Sequence, residues 1–190
     1  MNTEKLGLSR IMNLLAKPGG KAMESGFRRR LQNPRTILEE ADLKSGQTIL
    51  EVGSGTGFFT LDAADMITKN GRLIAMDPLS DFVTRLQSKV QDAGLTNVEV
   101  VQRDALKTGL DANMIDVALL FGVVPFPTLP LNSLLPEMYR VLKSEGTMAV
   151  WLFPTTAGVP RTINRSGLFK EVSKKNRVYI YSPITTRKMN

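Results

Sequence analysis

The chain has 190 residues, about one domain, with a net charge of +7 and neither cysteine nor histidine. Those absences exclude disulfides, thiolate metal sites and a cysteine nucleophile, and they remove the commonest general base near neutral pH. The charge is uneven: residues 1–48 carry +4, residues 49–150 carry −4 and residues 151–190 carry +7.

The first twenty residues hold no long apolar core and no cleavage-like site, so no signal peptide is expected and a cytoplasmic location is. Leu6, Ile11, Leu14 and Leu15 fit an amphipathic helix that stops before Pro18-Gly19-Gly20, and a short basic helix is expected from Met23 to Leu31. Asn33-Pro34 reads as a helix start that leads through Ile37, Leu38 and Ala41. Strands are predicted at Gln47 to Val52, Arg72 to Met76, Val98 to Gln102, Ile115 to Phe121 and Thr147 to Phe153. Helices are predicted between them at Thr56 to Ile67, Ser80 to Ala93 and Leu131 to Leu142, with a turn at Ser144-Glu145-Gly146. Val117 to Pro136 has no charged residue over a length able to span a bilayer, but its four prolines favour a strand followed by a loop over a membrane helix. Phe169 to Ser173 and Val178 to Tyr181 read as a hairpin. Strands alternating with helices imply an α/β fold with a mostly parallel, doubly wound sheet, and the hairpin adds an antiparallel edge.

In such sheets ligands sit beyond the carboxyl ends of the strands. The first strand runs into Gly53-Ser54-Gly55-Thr56-Gly57. A dinucleotide site wants its third glycine one position later, where this chain has Phe58, so a pyrophosphate is disfavoured. The second strand ends at Asp77 before Pro78, where a carboxylate can accept both hydroxyls of a ribose. The third is followed by Arg103-Asp104-Ala105, and Asp104 can accept from an exocyclic amine. The fourth ends at Phe121-Gly122, a small opening in the backbone. Three acidic strand-end residues, Glu51, Asp77 and Asp104, suit a cationic nucleoside without phosphate. Asp77 and Asp104 also suit plain turn or cap roles, Asp116 reads as ending a turn, and Met76 and Met148 read as core.

Taken in order, Glu51-Val-Gly-Ser-Gly-Thr-Gly57, Met76-Asp77, Arg103-Asp104-Ala105 and the run from Glu137 to Gly146 resemble the class I S-adenosylmethionine-dependent methyltransferases. The last run is similar to the branch that includes the ubiquinone and menaquinone biosynthesis enzymes. The resemblance spans roughly residues 33 to 183. It implies a Rossmann-like sheet of seven strands with the seventh antiparallel, with S-adenosyl-L-methionine as cofactor and S-adenosyl-L-homocysteine as product. It further implies that Glu51, Gly53, Ser54, Gly55, Thr56 and Gly57 pack on the methionine part. Asp77 with Pro78 would hold the ribose, Asp104 and Ala105 the adenine, and Phe121 and Gly122 would line the methyl channel.

The acceptor is less marked. Phe121-Gly-Val-Val-Pro-Phe126 lacks the Asn/Asp-Pro-Pro-aromatic signature of base-amino methylation, and without histidine or cysteine the expected catalysis is by proximity, with no assigned catalytic base and no metal. An apolar loop, Pro125 to Leu135, favours a small apolar acceptor. The alternatives are an RNA or protein acceptor met through the basic ends, or a non-catalytic cofactor-binding module. The basic ends suit an anionic partner or are simply a solvated surface, since they lack interleaved aromatics. Residues 1–32 are expected to form an N-terminal helical extension or lid, and residues 33–190 the methyltransferase domain.

Overall fold

The computed structural model describes residues 32–152 and 158–185; the two helices expected before residue 32, and with them the lid, lie outside the described residues. Helix α1 (Pro34–Glu39) starts as expected, with the Asn33 side chain accepting from the Arg35 amide at 3.0 Å and proline in the first turn. Strand β1 (Thr48–Val52) leads through the glycine turn to α2 (Thr60–Met66). Then come β2 (Arg72–Asp77), α3 (Ser80–Asp92), β3 (Val98–Gln102), a 3₁₀ turn (Ala105–Lys107) and β4 (Ile115–Phe121). Helix α4 (Leu131–Val141), β5 (Leu142–Trp151), α5 (Val159–Arg165), β6 (Phe169–Lys175) and β7 (Val178–Pro183) complete the order.

The seven strands form one sheet in the order β3-β2-β1-β4-β5-β7-β6. Neighbours from β3 through β5 are parallel, and β7 is antiparallel to both of its neighbours. The chain winds outward from β1 to β3 and then returns to place β4 on the other side of β1. That reversal leaves a crevice beyond the carboxyl ends of β1 and β4, the position where open α/β sheets bind ligands.

The core follows from the two-residue period of the strands. Leu50, Val52, Ile74, Met76, Ala118 and Leu120 face one side and meet Leu134, Leu135, Met138 and Val141 of α4. Ile49, Leu73, Val117, Leu119 and Ala149 face the other and meet Leu38, Ala63 and Ala64. Burial on both faces explains why β4 reads as a continuous apolar run.

Three sequence expectations shift. Helix α2 begins at Thr60, not Thr56, because Gly53, Gly55 and Gly57 have φ of 68°, 55° and 88°, and the chain stays in turns through Phe59. A right-handed helix cannot include those angles. The expected helix end at Leu142 and the turn at Ser144-Glu145-Gly146 both fall inside β5: Leu142 already pairs Ile115, and Lys143 to Gly146 bulge out before Thr147 pairs Val117. Helix α5 was not anticipated; it is short, and its apolar contacts reduce to Val159 and Ile163, too few for a visible period.

Candidate functional site

A cavity of about 260 Å³ opens at the carboxyl ends of β1, β2 and β4. Its floor is the glycine turn. The amides of Gly53 and Ser54 both donate to Met76 O, at 2.8 and 3.0 Å, which folds the turn back onto β2. Gly57 N donates to Ser54 O at 3.0 Å, and Lys89 Nζ of α3 donates to Thr56 O at 2.9 Å, closing the turn from outside. A Cβ at Gly53 would meet Val123 Cγ1 at 2.5 Å, so glycine is required there by both its angle and its neighbour. Ser54 Oγ is buried with no hydrogen-bond partner and lines the cavity. A buried hydroxyl left unpaired is costly unless a ligand completes it.

Asp77 is 5% exposed. Its Oδ2 accepts from Gly55 N and its Oδ1 from Leu79 N, both at 2.9 Å. These bonds fix the carboxylate without exhausting it, because two oxygens offer about four acceptor positions. Burial pushes its pKa up to about 6, with the Leu79 and Gly55 amides opposing. The helix-cap alternative resolves into a tight turn, since α3 has Leu79 at its N-cap and no side-chain cap bond. Asp104 accepts from Leu106 N at 2.9 Å and caps the 3₁₀ turn while also lining the cavity, so the turn role and the site position coincide.

Glu51 differs. It is 3% exposed, outside the cavity lining, and accepts from Thr60 Oγ1 at 2.6 Å. Burial pushes its pKa up to about 8, the Thr60 hydroxyl opposes this, and the Asp77 charge adds to it. Gly53, Ser54, Gly55, Asp77, Pro78, Asp104, Ala105, Phe121 and Gly122 therefore meet around one cavity, whereas Glu51, Thr56 and Gly57 stand behind its wall.

The remaining wall is apolar and partly escaped the sequence reading. Phe58 and Phe59 line the cavity beside Phe121. Their rings pack edge-to-face, at 4.8 Å between Phe58 and Phe59 and 5.1 Å between Phe59 and Phe121, with Trp151 at 5.6 Å from Phe59. The signal for this wall was Phe58-Phe59 directly after the last glycine. Across the mouth, Leu129 N donates to Phe126 O at 2.9 Å, and this turn carries Phe126 with 58% of its surface in water. Phe126 and Leu129 also border a second groove of about 290 Å³ shared with Pro125, Pro130, Leu131 and Val159. Asp116 lies at the opposite, amino edge, accepting from Thr48 N at 2.8 Å and Lys143 Nζ at 2.7 Å, so it ties strands together away from the site. Tyr139 donates to Ile184 O at 3.0 Å and packs on Phe169, outside the cavity.

Among the described residues, no helix is long and apolar enough to cross a membrane. A family model described as a methyltransferase domain matches residues 49–146, just over half of the chain. The demethylmenaquinone methyltransferase of Oceanobacillus iheyensis is 27% identical over 121 residues, 63% of this chain and 50% of that protein. The protein-L-isoaspartate O-methyltransferase 2 of Archaeoglobus fulgidus is 27% identical over 116 residues, 61% of this chain and 53% of that one. The chain thus spans about half the length of these curated relatives. The crystal structure of a SAM dependent methyltransferase from Aquifex aeolicus superposes with a TM-score of 0.75 at 24% identity, covering 88% of this chain and 98% of that one, which establishes the common fold.

Proposed function

The chain belongs to the methyltransferase-domain family, and on that premise we propose that it binds S-adenosyl-L-methionine in the β1–β4 cavity and methylates a small apolar acceptor. The observation that carries this reading is Asp77: a buried carboxylate at the cavity wall, fixed by two backbone amides and still able to accept. It suits paired ribose hydroxyls. The donor set suits the rest of the cofactor as well. Ser54 Oγ lacks a partner, the glycine turn lets a ligand approach the backbone, and among the described residues no anion-binding cluster of basic side chains lies on the floor. Asp104 would accept from the adenine amine, and Phe121 with Gly122 would flank the methyl.

When bound, the donor supplies an electrophilic sulfonium methyl and departs as a neutral thioether. The protein's part is then to position the acceptor and exclude water. Phe58, Phe59 and Phe121, all buried, provide a dry wall for this, and the exposed Phe126 stands at its mouth. Among the described residues, the titratable groups in the lining are Asp77, Arg103 and Asp104, all near the nucleoside end. An acceptor that needs no deprotonation, or arrives deprotonated, matches that arrangement. The relative from Oceanobacillus iheyensis is named a demethylmenaquinone methyltransferase, which is in keeping with a small-molecule acceptor.

Calorimetric titration tests the cofactor. S-adenosyl-L-homocysteine should bind and NADH should not. Asp77→Ala should weaken that binding by roughly 1–3 kcal/mol, the cost of losing charge-assisted hydrogen bonds. A folded protein that ignores S-adenosyl-L-homocysteine would sink the reading. Unchanged affinity in Asp77→Ala would displace the ribose from this carboxylate.

A further inference from the structure

The sheet register brings the most basic part of the chain to the edge where the cavity opens. Phe121 pairs Trp151, Trp151 pairs Val178, and Val178 pairs Lys175. The tip of the β6–β7 hairpin, with Lys174, Lys175 and Arg177 all exposed, therefore lies level with Phe121. Three strand spacings separate them, roughly 14 Å. On the opposite flank, Arg103 and Lys107 follow the carboxyl end of β3, also three strands from β4 and also exposed. Between the two basic flanks stands Phe126, the most exposed large apolar side chain among the described residues. The acidic groups at this edge are mostly buried or already paired. Asp77 and Asp104 are buried, Asp62 and Asp81 in the first turns of α2 and α3 are half-buried, with Asp81 paired to Arg85 at 3.1 Å, and Glu40 pairs with Lys175 at 3.9 Å while accepting from Asn176. Glu171 lies further along β6, and Lys174 rests over the Tyr179 ring at 4.8 Å with its charge retained.

An apolar residue at a cavity mouth, flanked on both sides by lysine and arginine, is the pattern of an interfacial protein. The ring enters the lipid boundary, and the cations meet anionic headgroups. We propose that this carboxyl edge docks on an anionic lipid surface, so that the acceptor passes from the bilayer directly into the cavity. The proposal rests on the apolar-acceptor reading: such a molecule is concentrated in lipid, and a site facing the bilayer shortens its path through water. Single-stranded RNA is the other anionic partner for such cations. It is disfavoured because successive bases need successive aromatic platforms, whereas Phe126 is a single exposed ring and the hairpin tip, Lys174-Lys175-Asn176-Arg177, holds none.

Flotation of the full chain with phosphatidylcholine vesicles, with and without one-third phosphatidylglycerol, tests the docking. The protein should float with the anionic vesicles alone and be released by high salt. Lys174→Glu with Lys175→Glu should lower the partition coefficient at least about tenfold, since each cation near an anionic surface contributes roughly a fivefold factor. Affinity for S-adenosyl-L-homocysteine should stay unchanged in that double variant, which shows that it is folded. Phe126→Ser should also lower partitioning. The proposal is overturned by failure to float, by equal flotation with phosphatidylcholine alone, or by full flotation of the double-lysine variant. It is overturned equally if a single-stranded RNA oligonucleotide at the same phosphate concentration strips the protein from the vesicles. Lost flotation with intact S-adenosyl-L-homocysteine binding removes only the docking, whereas lost S-adenosyl-L-homocysteine binding removes the cofactor reading.

Discussion

Glu51 and Asp77 are two buried carboxylates on adjacent strands whose pKa values are raised to about 8 and about 6. A group whose folded pKa lies above its unfolded value holds its proton more tightly when folded. Its contribution to stability is full below the unfolded value and falls as pH rises through the folded one. For Glu51 that window runs from the ordinary glutamate range up to about 8. A cationic sulfonium ligand prefers both groups ionised, so its binding should release protons near neutrality. The affinity for S-adenosyl-L-methionine should rise between pH 6 and 8 more steeply than that for the uncharged S-adenosyl-L-homocysteine side chain. Glu51→Gln should flatten the difference. Titration calorimetry in buffers of different ionisation enthalpy counts the protons; equal counts for the two ligands would refute the coupling. Asp77 and Asp104 were legible in the sequence because residues at or just past the carboxyl ends of parallel strands face the crevice where such sheets bind ligands. The position of Glu51 behind the wall was not, because the motif does not say which face of β1 packs against α2.

At the scale of elements, two joints hold the framework together, one at the amino edge of the sheet and one beside the loop after β3. Gly146 sits in the β5 bulge, where an added Cβ would meet three backbone carbonyls, Ile115 O at 2.9 Å and Asp116 O and Lys143 O at 3.0 Å. Backbone cannot rotate away as a side chain end does. Gly146→Ala should therefore cost about 1–3 kcal/mol by overpacking, measured by denaturant unfolding, whereas Gly94→Ala, with open space around it, should show only the penalty of its φ of 63°. Glu137 of α4 is the second joint. Its Oε1 accepts from Thr108 N at 2.9 Å and Thr108 Oγ1 at 2.6 Å, and Arg140 completes the cluster. Thr108 O in turn accepts from Arg103 at 2.9 Å, so the cluster steadies the loop after β3. Arg140 first, against a smaller effect of burial, then Thr108, draw the Glu137 pKa down to about 2. The stabilisation is present above the unfolded value and is lost as pH falls towards 2. Thermal melts of Glu137→Gln should lose less stability across that acidic range than the parent; parallel curves would deny the ionised carboxylate this role. The run from Glu137 to Gly146 was visible in the sequence as a motif, but its physical content, a clamp followed by a bulge inside a strand, was not.

Across the whole molecule, a two-sided sheet fixes the site by its winding order. The reversal at β1 and β4 opens the crevice, and the antiparallel β7 brings the basic hairpin back to the same edge. Trp151 is the only tryptophan and is buried against Phe59 and Phe121. Its fluorescence therefore reports global unfolding next to the site. S-adenosyl-L-homocysteine at a hundredfold excess over its dissociation constant should raise the unfolding free energy by about 2.7 kcal/mol through mass action, and NADH should leave it unchanged. A shift with NADH would contradict the cofactor assignment.

The sequence by itself determined the alternation of strands and helices, the glycine turn, the acidic strand ends and hence the fold class. All of these are local, written in period, spacing and the positive φ angles that glycine adopts most readily. The tertiary structure alone decided which of those residues meet. It turned Glu51 behind the wall, set Phe58 and Phe59 on the cavity, absorbed Lys143 to Gly146 into a strand, and laid Lys175 level with Phe121. Those outcomes depend on strand order and on which face each strand buries. Both are settled by contacts between residues far apart in the chain, and no short window of sequence contains them.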